Sequence, residues 1–155
     1  MQVKRIKLVI AVILAAMIGS LASTQASSDL WYLSLNKSEL NPPSYVFGIV
    51  WPILYVLMMI SAYLAYKKIY GIFLIQLAFN AAWSWLFFRF QMPLISLIDI
   101  YLLVVLNLYI TALMYRENKL AFILFIPYVF LQLKSRHLLE LLIQLCKNLL
   151  WSREI

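Results

Sequence analysis

One cysteine, one histidine and three glycines are spread over 155 residues. The single Cys146 excludes an internal disulfide and any cysteine-rich metal site. The single His137 excludes a zinc or haem centre built on paired histidines. With glycine only at 19, 48 and 71, no glycine-rich loop can cradle a phosphate. Charge is equally scarce, at 12% of residues, about half the usual ~25% share. No nucleophile, base and acid can be assembled, because His137 has no serine or cysteine partner in an apolar pocket. Enzyme chemistry therefore finds little support.

What the chain does contain is apolar surface. Hydrophobic residues make up 65% of it and the mean hydropathy is +0.90. A water-soluble domain of this length could not cover that surface, so the class is integral membrane protein, as one domain over residues 1–155. Roughly 20 apolar residues cross the ~30 Å hydrocarbon core, and four segments are long enough: about residues 6–22, 46–66, 70–90 and 94–115. A fifth run opens at Leu120 and meets Lys134 and Arg136 after a short distance. Lipid offers the backbone no hydrogen-bond partner, so all five are expected as helices. The fold class is all-α, a bundle of five transmembrane helices with the fifth short or irregular.

The formal charge of +7 does not point to nucleic acid, because the basic residues cluster at segment ends and no basic stripe with interleaved aromatics lies outside the spans. Lys4, Arg5, Lys7, Lys67, Lys68, Arg116 and Lys119 fall on one side; Lys37 and Arg89 fall on the other. The positive-inside rule puts the first set, and the N-terminus, in the cytoplasm. The first span has a rival reading as a secretory signal, with residues 4–7 as the charged region, 8–18 as the apolar region and 22–26 as a small-residue cleavage zone.

Several residues inside the spans could carry function. Gln76, Asn80, Trp83 and Phe87 recur at i, i+4, i+7 and i+11, on one helical face. Amides at mid-span are costly in hydrocarbon and should point into the protein. They read either as helix-to-helix hydrogen bonds or as the wall of a ligand cavity, with Trp83 as an apolar plate. Trp51, Tyr55, Met58 and Ala62 repeat the spacing one span earlier. Spacing alone favours core or an interfacial aromatic belt for that stripe, and Pro52 removes a helical hydrogen bond beside Trp51. Asp99 is the one carboxylate within a span, read either as a cap or ion-pair member or as a functional group. Asn107 and Thr111 are expected to bond between helices. Trp31 and Tyr32 precede the stiff segment NPPSYVFGIVWPILY at residues 41–55, a loop that reads as interfacial anchor or as lid.

These pieces together resemble the TspO/translocator protein family, the tryptophan-rich sensory proteins. The resemblance rests on WYLSLNKSELNPPSYVFGIVWPILY for the first loop and second helix, QLAFNAAWSWLFF for the third, the Asp99 region of the fourth, and AFILFIPYVF opening the fifth. It spans about residues 6–130. It implies a five-helix bundle, often a homodimer, with a pocket between the helices closed by the first loop. It also implies tetrapyrrole ligands such as protoporphyrin IX or haem, sterols in some lineages, and no required cofactor or metal. Trp51, Tyr55, Gln76, Asn80, Trp83 and Phe87 would line that pocket, and Tyr32, Pro42 and Pro43 would form the lid. The partners expected are a hydrophobic small molecule and membrane lipid, not nucleic acid.

The family pattern is departed from at the C-terminus. Leu131 stands where a tryptophan is expected, and Lys134, Arg136, Lys147 and Arg153 crowd the side that should be poor in cations. A shifted reading frame after about Phe130 is the expectation for this atypical tail, 131–155, with a compromised fifth wall. Two further functions compete with tetrapyrrole transport or sensing. One is light- or oxygen-dependent porphyrin breakdown, and the other is a structural, partner-regulating role without a small ligand.

Overall fold

The computed structural model describes residues 2–24 and 44–134. Among them there is no strand. Helix α1 is Gln2–Ser23, α2 is Ser44–Ser84, a π-helical turn covers Trp85–Arg89, α3 is Pro93–Glu117, and α4 covers residues 119–134. The architecture is an all-α membrane bundle.

The expected second and third spans form one unbroken helical run, α2. A straight rod of that length would reach ~60 Å, twice the hydrocarbon core. It is not straight. The Tyr55 hydroxyl donates to Asn80 Oδ1 at 2.8 Å, whereas 25 positions along a rigid helix cover ~37 Å. The run therefore doubles back, and the midpoint between those partners falls at the exposed pair Lys67–Lys68. The first limb (residues 44–66) and the second limb (residues 69–84) are antiparallel spans. The helical backbone continues through the turn, Gly71 included, so the two expected elements form one run.

Helix α1 lies along both limbs. Its N-terminal turn meets the bend, where the Arg5 guanidinium covers Tyr63 and Tyr66 at 4.8 and 4.6 Å. Its far end meets the opposite rim, where Trp85 Nε1 donates to the Ile18 carbonyl at 3.1 Å. The buried positions Leu8, Val12, Ala15, Gly19 and Ala22 form one stripe, while Ile6, Ile10, Ile13, Met17 and Leu21 face outward. Apolar residues on the outer face suit lipid. The first span is thus a wall of the bundle, packed into a core with Leu54, Met58, Phe73, Ile110 and Phe125.

The chain reverses again after the π turn. Phe90 N bonds to Trp85 O at 2.9 Å and Met92 N to Leu86 O at 3.0 Å. Gln91 takes a positive φ of 55°, and Pro93 opens α3 at the helix start, where its missing N–H costs nothing. At the other end Asn118 separates α3 from α4. Its Oδ1 accepts from Leu120 N and Ala121 N at 2.9 and 3.1 Å, an N-cap of the usual asparagine kind. Helix α4 then runs antiparallel to α3, since Asn107 Nδ2 donates to Gln132 Oε1 at 2.6 Å across a turn centred near Lys119.

Helix α4 keeps to the short fifth segment expected, within the described residues 119–134, and corrects only the alternative of an irregular one. It is a regular helix through Lys134, Pro127 included. Leu131 packs against the core and Gln132 is buried, so the fold continues past Phe130. The frame-shift expectation for the tail beyond 134 lies outside the described residues. Thr111 corrects another: its hydroxyl donates to the Asn107 carbonyl of its own helix at 2.6 Å. Asn107 does bond between helices, as expected.

Candidate functional site

A polar layer crosses the middle of the bundle. Gln76 and Asn80 on the second limb are buried, one turn apart. Tyr55 enters from the first limb and Tyr128 from α4. Tyr55 donates to Asn80 Oδ1. Gln76 Nε2 donates to the Tyr128 hydroxyl at 3.0 Å, and Asn80 Nδ2 donates to the same oxygen. Asn107 of α3 joins the layer through Gln132, one turn beyond Tyr128 on α4. These groups sit at matching depths: Gln76 and Tyr128 lie eight or nine residues beyond the turns at Lys68 and Lys119. In hydrocarbon each amide needs such a partner, because no water is available to substitute.

The tryptophans stand one turn further from the basic end. Antiparallel pairing of 55 with 80 brings 51 level with 84, so Trp51 and Trp83 occupy the same layer on opposite limbs. The half-buried Trp51 ring lies 6.2 Å from that of Tyr55. Trp83 stacks on Phe87 at 5.4 Å with planes 5° apart, and Phe88 meets both rings edge-on. One face of the expected plate is therefore already covered by Phe87. Trp83 Nε1, Gln76 Oε1 and Asn107 Oδ1 are buried here without a hydrogen-bond partner.

Asp99 lies in the second turn of α3, buried, with Oδ2 unpartnered. The reversal at Gln91 sets it level with Trp83. No described cation pairs with that oxygen, so the ion-pair reading of Asp99 gains no partner. Tyr32, Pro42 and Pro43, the expected lid, lie outside the described residues. No group of three or more metal-ligating side chains occurs among the described residues.

The structure adds residues that spacing did not single out. Tyr128 is the hub of the polar layer, and Gln132 follows it by one turn. The periodic stripe Ala121, Phe125, Tyr128 and Gln132 could have exposed both, had the fifth run been read as a regular helix. Trp85 and Arg89 line a cavity of about 270 Å³ with Leu21, Ala22 and Thr24, at the rim where α1 meets the π turn. It is a shallow depression, half-open to its surroundings, unlike the enclosed clefts of ~300–1,000 Å³ that hold small molecules. Gly19 of α1 lies close to both limbs of α2. A β-carbon there would sit 3.3 Å from Ser84 Oγ and 3.9 Å from the Tyr55 hydroxyl oxygen.

Comparison with known proteins fits this arrangement. The TspO/MBR family model matches residues 8–135, which takes in all five helical segments and continues past Phe130. The tryptophan-rich protein TspO of Archaeoglobus fulgidus is 33% identical over 133 residues, covering 80% of this chain and 86% of that protein. The tryptophan-rich sensory protein of Cereibacter sphaeroides is 33% identical over 121 residues, 72% of this chain and 75% of its own. The human translocator protein is 32% identical over 109 residues, 64% of each. With the tryptophan-and-amide layer in place and the match running through the helix that supplies Tyr128, the chain belongs to the TspO/MBR family.

Proposed function

We propose that this protein binds a tetrapyrrole, protoporphyrin IX or haem, between its helices and works in transport or sensing of such hydrophobic ligands. The observation that carries the reading is the pairing of two layers. A floor of phenols and amides (Tyr55, Gln76, Asn80, Tyr128) lies below a layer that holds Trp51 and Trp83. A flat macrocycle stacks on indole faces and presents polar atoms at its centre and edge. Trp83 Nε1 and Gln76 Oε1 are a buried donor and a buried acceptor awaiting such atoms. Arg89, exposed at the rim beside Trp85, offers a guanidinium for the carboxylate side chains of a porphyrin. The names of two relatives, a sensory protein and a translocator protein, agree with sensing or transport.

The reading includes an orientation. Lys4, Arg5, Lys67, Lys68, Arg116 and Lys119 belong to one end of the bundle, and the positive-inside rule assigns that end to the cytoplasm. The ligand site then opens toward the opposite face.

Titration of the purified protein with protoporphyrin IX, followed by tryptophan fluorescence, tests the proposal. Saturable quenching is expected, and its absence rejects tetrapyrrole binding. Trp51→Phe should weaken affinity by roughly two- to twelvefold, the weight of an aromatic stacking contact worth ~0.5–1.5 kcal/mol. Unchanged affinity would return Trp51 to the interfacial belt.

A further inference from the structure

The end of the bundle remote from the tryptophan layer carries a feature that the ligand reading does not use. Seven cations gather there, Lys4, Arg5 and Lys7 on α1, Lys67 and Lys68 at the bend of α2, and Arg116 and Lys119 at the α3–α4 turn. Glu117 is the one carboxylate among the described residues at that end. Six of the seven cations are exposed and read as ordinary interfacial charge. Arg5 is different. Its guanidinium carbon lies 4.8 Å from the ring of Tyr63 and 4.6 Å from that of Tyr66, and neighbouring Lys4 reaches within 5.5 Å of the Tyr70 ring. Three tyrosines on the two limbs of α2 thus hold the first turn of α1.

Two hydrogen-bond donors at this spot lack an acceptor. Arg5 Nε and the Tyr66 hydroxyl are both buried and unbonded, and Tyr66 as a whole is only 3% exposed. An orphaned donor costs on the order of 1–3 kcal/mol. Two on residues in contact, one of them cationic and held over aromatic rings, describe half of an anion site. Lys67 and Lys68, adjacent in sequence to Tyr66, supply further positive charge around it. At a membrane surface the matching acceptor is a phosphate oxygen of a lipid headgroup, whose acyl chains would lie along the exposed apolar faces of α1 and of the first limb, at Ile6, Ile10 and Ile60.

We propose that the cluster of Arg5, Tyr63 and Tyr66, ringed by Lys4, Lys67 and Lys68, is a specific binding site for the headgroup phosphate of an anionic phospholipid. Arg5 covers the Tyr66 ring, so the guanidinium is the piece that shifts as the phosphate arrives. Both orphaned donors then gain an acceptor, and the lipid ties α1 to the bend of α2.

Thermal unfolding of the full chain in detergent, with added phosphatidylglycerol, phosphatidylcholine or inorganic phosphate, separates the possibilities. Phosphatidylglycerol is expected to raise Tm in a saturable way, with little effect from phosphatidylcholine. Arg5→Gln should weaken that apparent affinity by clearly more than Lys119→Gln, for which about fivefold is the share of one freely placed interfacial cation. Tyr66→Phe keeps the ring and removes a hydroxyl that has no partner in the free protein. It should raise the lipid-free Tm, because a buried donor without an acceptor is removed, and still reduce the phosphatidylglycerol response. Equal losses for Arg5→Gln and Lys119→Gln would mean diffuse attraction and overturn the site, as would a full lipid response in Tyr66→Phe. Equal stabilisation by inorganic phosphate would overturn the assignment to lipid.

Discussion

Replacing Tyr128 with phenylalanine removes one oxygen from the centre of the bundle and leaves its shape intact. That oxygen accepts from Gln76 Nε2 at 3.0 Å and from Asn80 Nδ2, and Tyr128 is 2% exposed. Water cannot take its place. Side-chain hydrogen bonds within membrane bundles average ~0.6 kcal/mol and reach ~1.7, so losing two should cost ~1.2 kcal/mol and at most ~3.4. Tyr55→Phe supplies the internal standard. It deletes a single bond, to Asn80 Oδ1 at 2.8 Å, and should cost about half as much. The assay is reversible unfolding in mixed detergent micelles, followed by far-UV circular dichroism, for both variants and the parent. A second measurement uses Asn80→Leu, which shares one bond with each tyrosine. Its combination with Tyr128→Phe should cost less than the two single changes added together, because the shared bond can be lost only once. If Tyr128→Phe is no less stable than Tyr55→Phe, Tyr128 is not the hub of the layer.

Two further outcomes follow from local geometry. Gly19→Val should loosen the α1–α2 contact and lower Tm, because even a first β-carbon there comes to 3.3 Å of Ser84 Oγ; Gly19→Ala should be much milder, and equal Tm values for valine and glycine would show that α1 can back away freely. Asn118→Ala removes the cap that receives Leu120 N and Ala121 N and should cost about 1 kcal/mol, measured by the same unfolding assay, with no change in porphyrin quenching; a neutral result would mean that water or headgroups cap α4 equally well.

Membrane class, helical class, span positions and the side on which cations collect were all legible without coordinates. Each follows from a term that acts residue by residue. Apolar side chains leave water, backbone groups in lipid must bond within their own helix, and lysine and arginine stay at the interface. The faces were legible too, since a helical period of 3.6 puts Gln76, Asn80 and Phe87 on one side of their span, and all three are buried. Partners were not legible. Nothing in the spacing says that Asn80 meets Tyr55 from the preceding limb and Tyr128 from 48 positions away.

The same division explains the end of the chain. Lys134 and Arg136 argued for a short fifth segment, and the described helix, 119–134, is short but regular; its Tyr128 and Gln132 find Gln76, Asn80 and Asn107 across the bundle. A propensity or a hydropathy value belongs to one segment, whereas a buried hydrogen bond belongs to two. The sequence by itself therefore determined that this is a helical membrane protein with amides and tryptophans turned inward. Only the tertiary structure decided that Tyr128 joins them and that Asn80 is shared between Tyr55 and Tyr128. It also decided that Arg5 rests between two tyrosines at the basic end, because each of these depends on which helix lies next to which.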